Sequence, residues 1–107
     1  MLTREQIKGV NDTTLTEVEV PEWGGSVFVR SLSGGDVAKL RDRFAKTKED
    51  DKFALMLVAC VCSEDGAQLF DESDIGWLRE KNMRVLLSLV NECNAANGFD
   101  DDETEKN

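Results

Sequence analysis

The stretch Phe53-Ala-Leu-Met-Leu-Val-Ala-Cys-Val-Cys62 is ten apolar residues without a break. A half-wet strand alternates and a surface helix shows one apolar stripe; this run does neither. Asp50 or Asp51 stands where a helix N-cap belongs, so the run reads as a helix from Lys52 to Ser63. Its length is about half of what a membrane span needs. A helix that is apolar on every side has to be covered on every side. Either the remaining elements wrap it, or one side is left for a second subunit or a client. Both readings stay open, because 107 residues supply few elements to enclose a whole helix.

Upstream, Leu15-Thr-Glu-Val-Glu-Val20 alternates apolar and polar, which is the period of a half-buried strand. Pro21 ends it, Glu22-Trp-Gly-Gly25 reads as a turn, and Ser26 to Leu32 is a second strand rich in branched and aromatic residues. The two make a hairpin with a four- or five-residue loop. A lone hairpin is marginal in water, so it must lie on helices or on another chain's strand. Before it, Thr3 followed by Gln6 spells a capping box, predicting a short helix from Arg4 to about Val10. After it, Ser33 is an N-cap for a helix carrying Val37, Leu40 and Phe44 to about Ala45.

Downstream, Glu64-Asp-Gly66 is a turn, Ala67 to Phe70 is short and extended, and Asp71 to Asp74 starts a helix bearing Ile75, Trp77 and Leu78. Asn82 caps the last helix, in which Met83, Leu86, Leu87, Val90 and Cys93 form the expected apolar stripe. Gly98 sits where a helix C-terminal glycine belongs. These elements predict an α+β fold that is mainly helical, one N-terminal hairpin packed on four or five helices. One domain spans 1–98, and an acidic, disordered tail spans 99–107.

Composition narrows the function. Thirteen Lys and Arg against 22 Asp and Glu leave a net charge of −9. Such a chain is repelled by nucleic-acid phosphates and anionic lipid, so neither is an expected partner. The chain holds no His, the commonest general base and metal ligand. Its first residues lack the apolar core of a signal peptide, and its three Cys suit a reducing cytosol better than a disulfide framework.

The remaining chemistry is thin. Two helical residues two apart, as Cys60 and Cys62 would be, point about 200° from each other and cannot share one ion. A calcium loop with Gly66 at its sixth position would need Val61 as first ligand, and Val cannot ligate. Gly24-Gly25 and Gly34-Gly35 lack the Lys-Ser/Thr of a phosphate loop. The carboxylate pairs lie in caps and tail rather than in an enclosed cleft. The expectation is a non-enzyme without cofactor or metal. One local charge reversal stands out: Lys39, Arg43 and Lys46 follow i, i+4, i+7 spacing opposite the Val37-Leu40-Phe44 stripe. It reads as an ordinary solvated face, or as a basic stripe for an acidic surface such as the Asp100 to Glu105 tail of a neighbour.

The order of these motifs resembles a known family. It runs from Val-Glu-Val-Pro-Glu-Trp-Gly-Gly (18–25) through Val-Phe-Val-Arg-Ser-Leu (27–32) to Ser-Gly-Gly-Asp (33–36). The apolar helix then leads into Cys-Ser-Glu-Asp-Gly-Ala-Gln-Leu-Phe (62–70) and Asp-Glu-Ser-Asp-Ile-Gly-Trp-Leu (71–78). Over about Glu17 to Gly98 this resembles the small tail assembly chaperones of long, noncontractile-tailed bacteriophages. The resemblance implies a chaperone in the host cytoplasm, absent from the mature virion, that self-associates and binds the tape measure protein. That client is a long helical chain, which the family keeps soluble while tail tube subunits polymerise around it. It also implies that a longer, frameshifted form can exist. Such work needs apolar surface to cover the client and net charge to keep the complex soluble. Leu55, Met56, Leu86 and Leu89 are the expected subunit or client contacts, with Lys39, Arg43 and Lys46 beside them. The alternative is a structural virion component, a tail-completion or head–tail joining protein. A small acidic regulator that mimics DNA is a further rival, against which the basic stripe argues.

Overall fold

A computed structural model describes residues 1–99, so the acidic segment 100–107 and its expected disorder lie outside the described residues. The first helix, α1 (Arg4–Gly9), forms where the capping box places it: Thr3 Oγ1 accepts from the Gln6 amide and Gln6 Oε1 from the Thr3 amide. Strands β1 (Leu15–Val20) and β2 (Gly25–Arg30) pair antiparallel, Leu15 opposite Arg30 and Val20 opposite Gly25. A 3-10 turn, Pro21–Trp23, joins them. Gly24 closes that turn at φ +82, a left-handed conformation glycine takes without a Cβ penalty. The expected hairpin is there, with its second strand ending at Arg30 instead of Leu32.

Helix α2 (Gly34–Ala45) starts at Ser33, whose Oγ accepts from the Asp36 amide. The apolar run gives α3 (Lys52–Cys60), but not up to Ser63. Val61 turns extended, and Val61–Cys62 becomes β3, pairing antiparallel with β2 through Phe28 opposite Cys62 and Val29 opposite Val61. The hairpin thus gains its third strand from its own chain. The carbonyls left open at that helix end are satisfied by side chains. Gln68 Nε2 donates to Val58 O at 2.7 Å, and Arg30 donates to Ala59 O from Nε at 3.2 Å and Nη2 at 3.0 Å. A cation at a helix C-terminus also meets the negative end of the dipole. Asp51 does not cap α3 with its side chain; its carboxylate accepts from Arg79 Nη1 at 2.9 Å.

A 3-10 turn at Glu72–Asp74 leads into the short α4 (Ile75–Leu78). Asn82 caps the long α5 (Met83–Asn97) by accepting from the Arg84 amide, and Gly98 ends it at φ +72. The chain is therefore α+β and mainly helical, as its patterning predicts. Helix α3 is sandwiched. One side meets α5 and the inner face of the sheet, with Leu55, Met56, Leu57 and Cys60 in a core shared with Val20, Val29, Leu86 and Leu89. The other side, Ala54 and Val58, closes on Leu78 of α4, with Phe70 and Ile75 beside it. Phe53 and Ala59 are the only residues of α3 after Lys52 that are not fully buried. Among the described residues the other elements wrap the central helix, leaving Phe53 as its one exposed apolar side chain.

Candidate interaction surface

The apolar surface this protein does present lies where sequence periodicity did not put it. Helix α5 buries Val85, Leu86, Leu89, Val90 and Cys93, while Met83 and Leu87 point outward at 56% and 44% exposure. The expected Met83-Leu86-Leu87-Val90-Cys93 stripe is therefore rotated. The i, i+1, i+4, i+5, i+8 set starting at Val85 packs on α3 and the sheet, and it leaves out Met83 and Leu87. Leu55, Met56, Leu86 and Leu89 lie inside the core, packed among one another's neighbours. In this fold none of the four lies on the surface.

Trp23, at the tip of the hairpin, stands between two hollows. One is formed with Met83, Leu87 and Val85 at the start of α5, rimmed by Glu22 and Arg84. The other is formed with Phe70, Trp77, Leu78 and Lys81. Trp77 is fixed in place although it is 48% exposed. Its Nε1 donates to Asp74 Oδ1 at 2.9 Å, and its ring meets Phe70 edge-on with centroids 5.8 Å apart. Lys81 Nζ lies 5.7 Å from the ring centre. A rigid, half-exposed indole beside other apolar side chains is what binding hot spots are made of. An indole in the Pro-Glu-Trp-Gly-Gly turn, where no strand face is free to bury it, was the one sequence signal for this surface.

The basic stripe is partly brought together. Lys39 and Arg43 line a cleft of about 220 Å³ with Arg30, Asp36 and Gln68, over a floor that includes Leu40 and Leu55. Arg43 pairs there with Glu72, and Arg30 lies 3.9 Å from Asp36. Lys46 is not part of the cleft; it turns to Asp42 at 3.1 Å on its own helix. Lys39 makes no ion pair among the described residues.

The thiols are core. Cys60, Cys62 and Cys93 are free and buried. A hydrogen bond with Cys60, together with burial, pushes the Cys93 thiol up; burial does the same for Cys62. Among the described residues no three of His, Cys, Asp and Glu gather as a metal site needs, and no helix is long and apolar enough to cross a membrane.

Residues 2–94 match the family described as phage tail assembly chaperone. This chain belongs to that family. The chaperone is also similar in fold to a solved structure, the tail assembly chaperone of bacteriophage HK97. The two share 20% identity at a TM-score of 0.63, over 91% of this chain and 95% of that one. No curated protein sequence matches it. The matched stretch holds the hairpin, the sandwiched α3, the aromatic strip of Trp23, Phe70 and Trp77, and most of α5.

Proposed function

We propose that this chaperone holds the tape measure protein by its apolar helical surface, keeps it soluble and helps tail tube subunits assemble around it. The role is non-enzymatic and is carried out by several associated copies in the host cytoplasm, with the chaperone left out of the mature virion. The observation that carries this reading is the strip of Trp23, Phe70 and Trp77, in which two half-exposed indoles sit on a member of a chaperone family. An amphipathic client helix would lay its apolar face on the strip, where aromatic anchors contribute most of the contact energy. The net charge of −9 keeps the loaded complex apart from its neighbours. Lys39 in its cleft receives acidic side chains of the partner, beside Arg43, which Glu72 already engages, and Lys46 adds to the same potential. Leu55, Met56, Leu86 and Leu89 enter as the packed floor that holds this surface in shape; they would touch a client only if α3 and α5 parted.

The test is co-expression of the chaperone with tape measure fragments, followed by recovery of soluble complex. Soluble fragment retained by the unmodified chain, and lost with Trp23→Ala together with Trp77→Ala, supports the reading. A fragment that stays insoluble beside the folded chaperone overturns it.

A further inference from the structure

No residue of α1 is buried, and every residue from Met1 to Glu17 is exposed. Leu2, Ile7 and Val10 are 66%, 58% and 56% exposed. Leu2 and Ile7 occupy the two positions of a hydrophobic staple around the Thr3 cap, and Val10 follows Ile7 by three residues, about one turn. A six-residue helix does not persist in water by its capping alone; it needs something for its apolar side to lie on.

The same chain presents an uncovered apolar hollow, lined by Trp23, Met83 and Leu87 and rimmed by Glu22 and Arg84. The arm is basic in an otherwise acidic chain, carrying Arg4 and Lys8 against Glu5. It leaves the body at the opposite end from the hollow. Thr14 is clasped to Ser31 by two hydrogen bonds of 3.0 and 2.9 Å, and Leu32 is bonded to Asn97 at the far end of α5. From Asn97 back to Met83 the helix runs about 21 Å. The link from Val10 to Thr14 reaches about 14 Å at full stretch. Val10 therefore falls short of Met83 in its own chain, whereas a neighbouring copy sets no such limit.

We infer that the arm of one copy, residues 2–10, docks Leu2, Ile7 and Val10 into the Trp23-Met83-Leu87 hollow of a second copy. The contact is head-to-tail, because arm and hollow lie at opposite ends of the molecule. Such contacts propagate into rings or filaments and do not stop at a pair. The inference rests on the proposed self-association and supplies its mechanism.

The test uses the full chain, light scattering over a concentration series, and two variants at exposed positions, Ile7→Asp and Met83→Asp. The unmodified chain is expected to assemble. Each variant alone should fall to the monomer mass, or associate at least about tenfold more weakly, with unchanged circular dichroism. Mixed in equal amounts, the two should form a two-copy species and nothing larger, since one intact arm and one intact hollow make a single junction. Either variant assembling as the unmodified chain does overturns the inference and leaves self-association standing. Monomeric variants that give no pair on mixing overturn it too. An unmodified chain that stays monomeric at every concentration removes self-association itself; tape measure binding, read by co-expression, is decided separately.

Discussion

Asn97 and Leu32, far apart in sequence, are joined by a 2.6 Å hydrogen bond from the Leu32 amide to Asn97 Oδ1. The same side chain donates from Nδ2 to Cys93 O at 2.9 Å and to Arg30 O at 3.4 Å. One amide thus ties the end of α5 to the exit of β2, at the point where the chain leaves the sheet for α2. Asn97→Leu keeps the bulk and strands the Leu32 N–H in a partly buried place, at a cost of about 1–3 kcal/mol. Urea unfolding should show a lower midpoint with an unchanged slope. Asn97→Asp keeps the acceptor for Leu32 and loses the donated bonds, so its midpoint should fall between the two.

The rotation of α5 sets a sharp contrast between neighbouring positions. Leu89 is 1% exposed and Met83 is 56% exposed, although both are apolar residues of one helix. Leu89→Asp buries a carboxylate without a partner and should cost more than about 4 kcal/mol, a large share of the roughly 5–15 kcal/mol that hold a domain together. Met56→Asp should behave alike. Met83→Asp should change stability by no more than about 0.5 kcal/mol. Thermal melts followed by circular dichroism would separate the two classes, and a Leu89→Asp chain that folds as before would place that residue outside the core.

What could be read in the sequence was local. Ser33, Asn82, Gly98 and the Thr3–Gln6 box each act on a backbone group a few residues away, so their spelling suffices to place four helix ends. The hairpin was legible because Val18 and Val20 alternate with Glu17 and Glu19 clearly enough to fix a period, although Leu15 and Thr16 are out of phase with it. The end of α3 was not, because a run apolar on all sides has no period to break when Val61 and Cys62 change from helix to strand. The phase of α5 failed for a related reason. It carries more apolar residues than one face can hold, and only packing against α3 and the sheet decides that Val85 goes in and Met83 out. The aromatic strip joins Trp23 to Phe70 and Trp77, which the sequence keeps more than forty residues apart.

The buried thiols give a chemical readout of the same core. The hydrogen bond with Cys60 and burial raise the Cys93 thiol, and burial raises that of Cys62, so both stay protonated in the native protein; the same hydrogen bond lowers the Cys60 thiol, which is shielded by its burial alone. Iodoacetamide at mildly alkaline pH should leave the folded chain unmodified and label all three cysteines once denaturant is added. Labelling of Cys93 without denaturant, read by mass spectrometry, would show that α5 lifts from α3 in the native state.

Lys39 is the cation of the cleft without an ion pair among the described residues, whereas Arg43 is engaged by Glu72. Lys39→Glu should therefore weaken a complex held partly by an acidic partner segment, by about 1 kcal/mol at low salt, and should flatten the salt dependence of binding. Lys46→Glu, outside the cleft and already beside Asp42, should do less. Equal effects at the two positions would reduce the cleft to general surface potential.

Under the proposed function, Trp77 is the residue that should separate client binding from folding most cleanly. Its ring is held by Asp74, Phe70 and Lys81, yet nearly half of it faces solvent. A side chain fixed before the client arrives loses little freedom on binding, so its contacts count almost in full. Trp77→Ala should lower affinity for a tape measure fragment at least about thirtyfold, the effect of losing a hot spot of roughly 2 kcal/mol. Trp77→Phe keeps the apolar face but not the bond to Asp74, and should lose less. The unfolding midpoint of the free chaperone should shift far less than the affinity, because Leu78 and not Trp77 fills the space beneath α3. If affinity survives Trp77→Ala and Trp23→Ala together in a folded chain, the client lies elsewhere on the molecule, and the exposed Met83 and Leu87 would be the next residues to change.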